Sequence, residues 1–127
     1  LLLQPAECAP LPAIDVRSYS RPKDFVPARA ADRITIDADA VVGELRIRRV
    51  AAGDRFAPFG MPKGTKLVSD YLTDRHRSVL EKQAASVVCD EQGIVWLVGE
   101  TVDRRVAVHR STQTILEVRL LPPDREA

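Results

Sequence analysis

The 127-residue sequence is poor in cysteine and histidine, with two of each, and both scarcities exclude chemistry. Cys8 sits in a proline-rich lead-in and Cys89 at the end of an apolar run, so two free thiols in a reducing cytoplasm are expected, not a disulfide framework. A metal site needs closely spaced Cys or His, and His76 and His109 are far apart. No apolar run approaches the ~20 residues of a membrane helix, so no membrane is expected among the partners. A basic start followed by a long apolar stretch is missing, and with it a signal peptide. Also missing are G-x-S-x-G and H-E-x-x-H; Gly64-Thr65-Lys66 matches a phosphate-binding loop only loosely. No catalytic residue and no metal ligand are therefore assigned. The chain opens Leu1-Leu2-Leu3-Gln4 without Met and closes Pro122-Pro123-Asp124-Arg125-Glu126-Ala127, which reads as a piece of a longer protein.

What is present is one domain's worth of chain, 45% apolar and 29% charged. The net charge of +1 conceals a split. Nine basic and four acidic residues fall between Arg46 and Lys82, a surplus of five, while the rest of the chain is mildly acidic. Such a split suits a nucleic-acid face. It equally suits a strand and a helix that exposed arginines merely solvate.

Residues 1–30 carry five prolines and read as a linker with one short edge strand around residues 14–16. Arg33-Ile34-Thr35-Ile36-Asp37 and Leu45-Arg46-Ile47-Arg48 alternate as strands do, with a slip of phase at Arg48-Arg49-Val50 that a bulge or a strand end explains. Gly53 to Gly64 is glycine- and proline-punctuated and reads as a folded loop without regular structure, anchored by Phe56, Phe59 and Met61. Thr65 caps a helix running to about Arg75, and residues 78–85 form a second short helix. Strands follow at 86–89, 94–98, 104–109 and 114–120, with Asp90-Glu91-Gln92-Gly93 as a hairpin turn and Trp96 in the core. This order is α+β, too poor in crossover helices for a doubly wound sheet. Gly64 opening a helix would aim N–H groups at a phosphate between Lys63 and Lys66, and Gly60 and Gly64 supply positive-φ turns. Asp70 is expected to tie Arg48 or Arg55 in place.

Several motifs occur in a familiar order: Asp37-Ala38-Asp39, Leu45-Arg46-Ile47-Arg48-Arg49, Gly53-Asp54-Arg55-Phe56 and Pro58-Phe59-Gly60-Met61. Lys63-Gly64-Thr65-Lys66, Ser69-Asp70-Tyr71-Leu72-Thr73-Asp74-Arg75 and Ile94-Val95-Trp96-Leu97-Val98-Gly99 continue it. Over roughly residues 34–118 the chain resembles the C-terminal domain of bacterial tRNA(Ile)-lysidine synthetase. The chain departs from the family at Leu67, where a second basic residue is usual, and at Ala84-Ala85-Ser86, where an arginine is usual.

The resemblance implies a mainly antiparallel, β-sandwich-like core with one or two short flanking helices, at residues 31–121, between the lead-in and a frayed tail at 122–127. It implies a cytoplasmic parent, an ATP-dependent ligase of the PP-loop type that joins lysine to the wobble cytidine of an isoleucine tRNA. ATP with magnesium, and lysine, belong to that parent's N-terminal domain; the fragment itself needs no cofactor and is not the enzyme. Its partners would be the tRNA(Ile) acceptor stem and the N-terminal catalytic domain, and a homodimer is left open. Arg46, Arg48, Arg55, Lys63 and Lys66 would meet the RNA, supported by Asp54, Gly60, Gly64 and Asp70. The alternative is an interaction domain that packs within its own protein or on another and touches no RNA. An editing-type hydrolase would need a polar pocket with a water-activating group, which the sequence does not show.

Overall fold

Alternating apolar residues build two antiparallel sheets that close on one another. The computed structural model describes residues 11–122, so Cys8, the first prolines and most of the tail lie outside the described residues. The strands are β1 (Ile14–Ser20), β2 (Arg29–Ala30), β3 (Arg33–Asp37), β4 (Arg46–Arg49), β5 (Arg55–Phe56), β6 (Lys66–Leu67), β7 (Ser86–Cys89), β8 (Ile94–Leu97), β9 (Thr101–Val102) and β10 (Thr114–Leu120). Two short helices, α1 (Val68–Asp74) and α2 (Val79–Ala84), lie between β6 and β7. One sheet runs β1-β10-β3-β2, a second β4-β7-β8-β9, and β5 pairs with β6 as a ribbon.

The layers follow from which face each side chain takes. Ile34, Ile36 and Val118 of the first sheet meet Val88, Val95 and Trp96 of the second in one core. The second sheet's other face, through Val87, Ile94 and Leu97, packs on Phe56, Val68 and Leu72 of the ribbon and α1. The second sheet is thus the middle layer, which is why β8 is apolar at every position. Val88 pairs with Trp96 and Cys89 with Ile94, leaving Val95 as an extra residue. That bulge sends Val95 and Trp96 into the same core, while Ile94 and Leu97 serve the other. The α+β, sandwich-like reading is the observed architecture.

Several local expectations change. The lead-in supplies a seven-residue edge strand, β1, so residues 14–20 belong to the first sheet. Of the two explanations for the irregularity at Arg48-Arg49-Val50, the strand end is the observed one: β4 stops at Arg49, and Val50 packs in the second core. The expected strand at 104–109 is a 3-10 turn at Arg104–Val106, because buried Asp103 accepts from the N–H groups of Arg105 and Ala57 (both 2.9 Å). The second helix forms as the sequence implies, with Ser78 and Glu81 in a reciprocal capping box.

Candidate nucleic-acid interface

Of the basic residues between positions 46 and 82, Arg46, Arg48 and Arg49 lie on β4 and the rest on the ribbon, the helices and their connections, and the fold decides which of them are spoken for. Arg48 forks onto Asp54, with Nη1–Oδ2 at 2.8 Å and Nη2–Oδ1 at 3.1 Å. The Asp54 carboxylate also accepts from the Ala51 N–H (2.7 Å), and its carbonyl accepts from the Val68 N–H (2.8 Å). One residue thus joins the end of β4, the turn after it and the start of α1. The Arg48 guanidinium holds the Asp54 carboxyl below its usual range, and Asp54 in return raises Arg48. Asp70, expected to tie Arg48 or Arg55, bonds to neither; Asp54 and Thr65 take those places. Arg46 is highly exposed and paired at 3.2 Å with equally exposed Glu44, an arrangement of little energetic weight. It borders a groove of about 350 Å³ that Glu44, Asp90 and Glu91 also line, so the field there is mixed in sign. Burial raises the pKa of the neighbouring Cys89 thiol, which keeps it protonated.

The ribbon corrects the start of the helix. Arg55 donates from Nε to Thr65 Oγ1 (3.0 Å) and from Nη2 to the Thr65 carbonyl (3.3 Å), so Thr65 leads into the ribbon and does not cap α1. α1 begins at Val68, two residues after Lys66, with Leu67 at its N-cap and no side-chain cap bond. The phosphate seat expected at Gly64 is therefore not built. Gly60 and Gly64 do take positive φ, 98° and 82°, as turns require. Arg55 pairs with Leu67 and Phe56 with Lys66, so Arg55 and Lys66 leave the ribbon on opposite faces. Lys66 is ion-paired to Asp74, which raises its pKa. Lys63 is exposed and pairs with no carboxylate among the described residues.

Other cations of this layer were not singled out by the sequence. Arg75 and Arg77 converge on Glu100 at 3.1 and 2.7 Å, and Glu100's side chain is only 7% exposed, leaving a surplus charge. His76 between them sits at φ 61°, and Lys82 donates to Thr73 Oγ1. The run Arg75-His76-Arg77 was visible as charge; its buried acid, in a distant turn, was not. From the first sheet, Arg29 of β2 stacks on Phe59, 4.4 Å from guanidinium carbon to ring centroid. Phe59, expected as a core anchor, is 40% exposed; Phe56, at 2%, is the ring that anchors the loop. Among the described residues no group of three or more His, Cys, Asp or Glu could hold a metal, and no helix is long and apolar enough to cross a membrane.

Fold and site define an α+β sandwich domain with a cationic outer layer. No protein-family model matches the chain. It is 40% identical over 93 residues to the tRNA(Ile)-lysidine synthase of Bacteroides thetaiotaomicron, covering 73% of this chain and 22% of that protein. It is 41% identical over 86 residues to that of Parabacteroides distasonis, covering 68% and 19%. The synthase of Symbiobacterium thermophilum matches at 30% over 117 residues, 90% of this chain and 24% of that protein. The chain thus spans about a fifth of the length of the curated relatives it matches. In three dimensions it resembles the crystal structure of a TILS C-terminal domain, with a TM-score of 0.66 at 21% identity over 92% of this chain and 95% of that one. The resemblance to the C-terminal domain of bacterial tRNA(Ile)-lysidine synthetase holds in sequence and in fold.

Proposed function

We propose that this chain is the tRNA-docking, non-catalytic part of a cytoplasmic tRNA(Ile)-lysidine synthetase. It grips the acceptor stem of isoleucine tRNA so that a catalytic domain elsewhere in the parent attaches lysine to the wobble cytidine. ATP, magnesium and lysine are handled by that other domain in this reading. The observation that carries it is the outer layer: Arg55, Lys63 and Lys82 make no ion pair among the described residues, and Arg75 and Arg77 share one acid. An A-form stem offers backbone phosphates, 2′-hydroxyls and a shallow minor groove, so cations set on a packed ribbon, its loop and the helices are the right chemistry for it. Arg48 acts in this scheme as a strut, because Asp54 occupies its fork.

The test is binding to an isoleucine tRNA at two salt concentrations. Affinity should fall steeply with salt, and Arg55→Glu with Lys63→Glu should flatten the salt dependence by about two phosphate contacts and weaken binding about ten-fold or more. An absence of binding at low salt refutes the reading. So does unchanged affinity of the double variant in the full-length synthetase. That second result favours a domain that packs on its own parent, for which α2 offers Val79 and Leu80, 69% and 67% exposed.

A further inference from the structure

We infer that Phe59 is a stacking platform for an unpaired nucleobase, with Arg29 as its fixed second layer; this rests on the RNA reading and deepens it. Phe59 is the most exposed aromatic ring among the described residues. The loop that carries it is held without the ring's help. The Phe59 N–H donates to the Val102 carbonyl (3.0 Å), and the Met61 N–H donates to the Pro58 carbonyl (3.0 Å). Pro58 bridges to buried Asp103. On the far side Arg104 donates to the carbonyls of Met61 (2.6 Å) and Gly64 (3.3 Å). Gly60, with φ 98°, completes a four-residue turn from Pro58 to Met61 that sets Phe59 at its corner. A Cβ at Gly60 would meet nothing within 4 Å, so the corner stands in open space.

Arg29 comes from the first sheet and meets no carboxylate among the described residues; its guanidinium lies over the ring at 4.4 Å. One ring face is thus occupied by a planar cation while much of the ring stays in water. A nucleobase is the ligand that fits: flat, electron-rich and attached to a phosphate that the unpaired Lys63 in the same loop would attract. A paired base inside a stem cannot offer its face, so the platform takes a base from a single-stranded end or loop next to the duplex.

The experiment compares two RNA hairpins, one blunt and one with a single-stranded 3′ overhang carrying a fluorescent aminopurine. The chain should bind the overhang hairpin about ten-fold more tightly and quench its fluorescence. Phe59→Ala should abolish both the increment and the quenching while keeping the blunt-hairpin affinity and the circular-dichroism spectrum. Phe59→Trp should retain them. An increment that survives Phe59→Ala, or no increment in the unsubstituted chain that binds the blunt hairpin, overturns the platform and leaves RNA docking intact. Failure to bind either hairpin at low salt removes the RNA reading and the platform with it.

Discussion

Asp90 offers the sharpest test of how the fold is held together. Its side chain is fully buried and accepts from the N–H groups of Val42 (2.9 Å), Gln92 (2.8 Å) and Gly93 (3.1 Å), and from Arg105 at 3.0 and 2.6 Å. It closes the β7–β8 hairpin and ties it to the approach to β4 and to the 3-10 turn. Burial pushes this carboxyl up; the Arg105 guanidinium and the Val42 and Gln92 N–H groups outweigh it and hold the pKa at about 2, against 3.8. A folded pKa below the unfolded one means stability present above the unfolded value and lost as pH falls through the folded one. The difference is worth about 2 kcal/mol at neutral pH. Asp90→Asn should therefore lower the urea-unfolding free energy by about 2 kcal/mol at neutral pH. The gap between the two proteins should narrow as pH falls from about 4 to about 2, because the native carboxyl is then protonated as well. A gap of constant size across that range, or none at neutral pH, would refute the charge-based account.

Two further outcomes follow from the struts and caps. Asp54→Ala removes the Arg48 fork and the acceptor for the Ala51 N–H, and should lower stability by about 1–2 kcal/mol in denaturant titration; a loss within error would show that the pair is ornamental. Ser78→Ala breaks the capping box of a helix that buries no residue, so it should act locally: amide exchange in α2 should rise about five-fold while the melting temperature barely moves.

The strands β3, β7, β8 and β10 and the helix α2 were legible because their patterns are local: alternation, an unbroken apolar run, a short helix-forming stretch. The ribbon, the start of α1 and the 3-10 turn were not, because distant partners decide them. Asp103 reaches back to the Ala57 N–H, and the Asp54 carbonyl captures the Val68 N–H. At the interface the surplus of cations could be counted from the sequence, and Gly53-Asp54-Arg55-Phe56 marked where the chain turns. Neutralisation could not be counted. Glu100 sits in a turn remote from Arg75 and Arg77, and Glu44 beside Arg46 reads as surface until Glu91 and Asp90 close the groove. Arg29 lay in a stretch read as linker, so its place on Phe59 had no local signal.

The pairing of β1 with β10 sets Ile14 opposite Leu120. The first and last strands of the domain therefore leave it side by side, at one corner of the first sheet. Arg55, Lys66 and Arg75 belong to the ribbon and to the end of α1, across the middle sheet from that corner. Chain that continues from either of these strands starts on the first sheet's side of the domain.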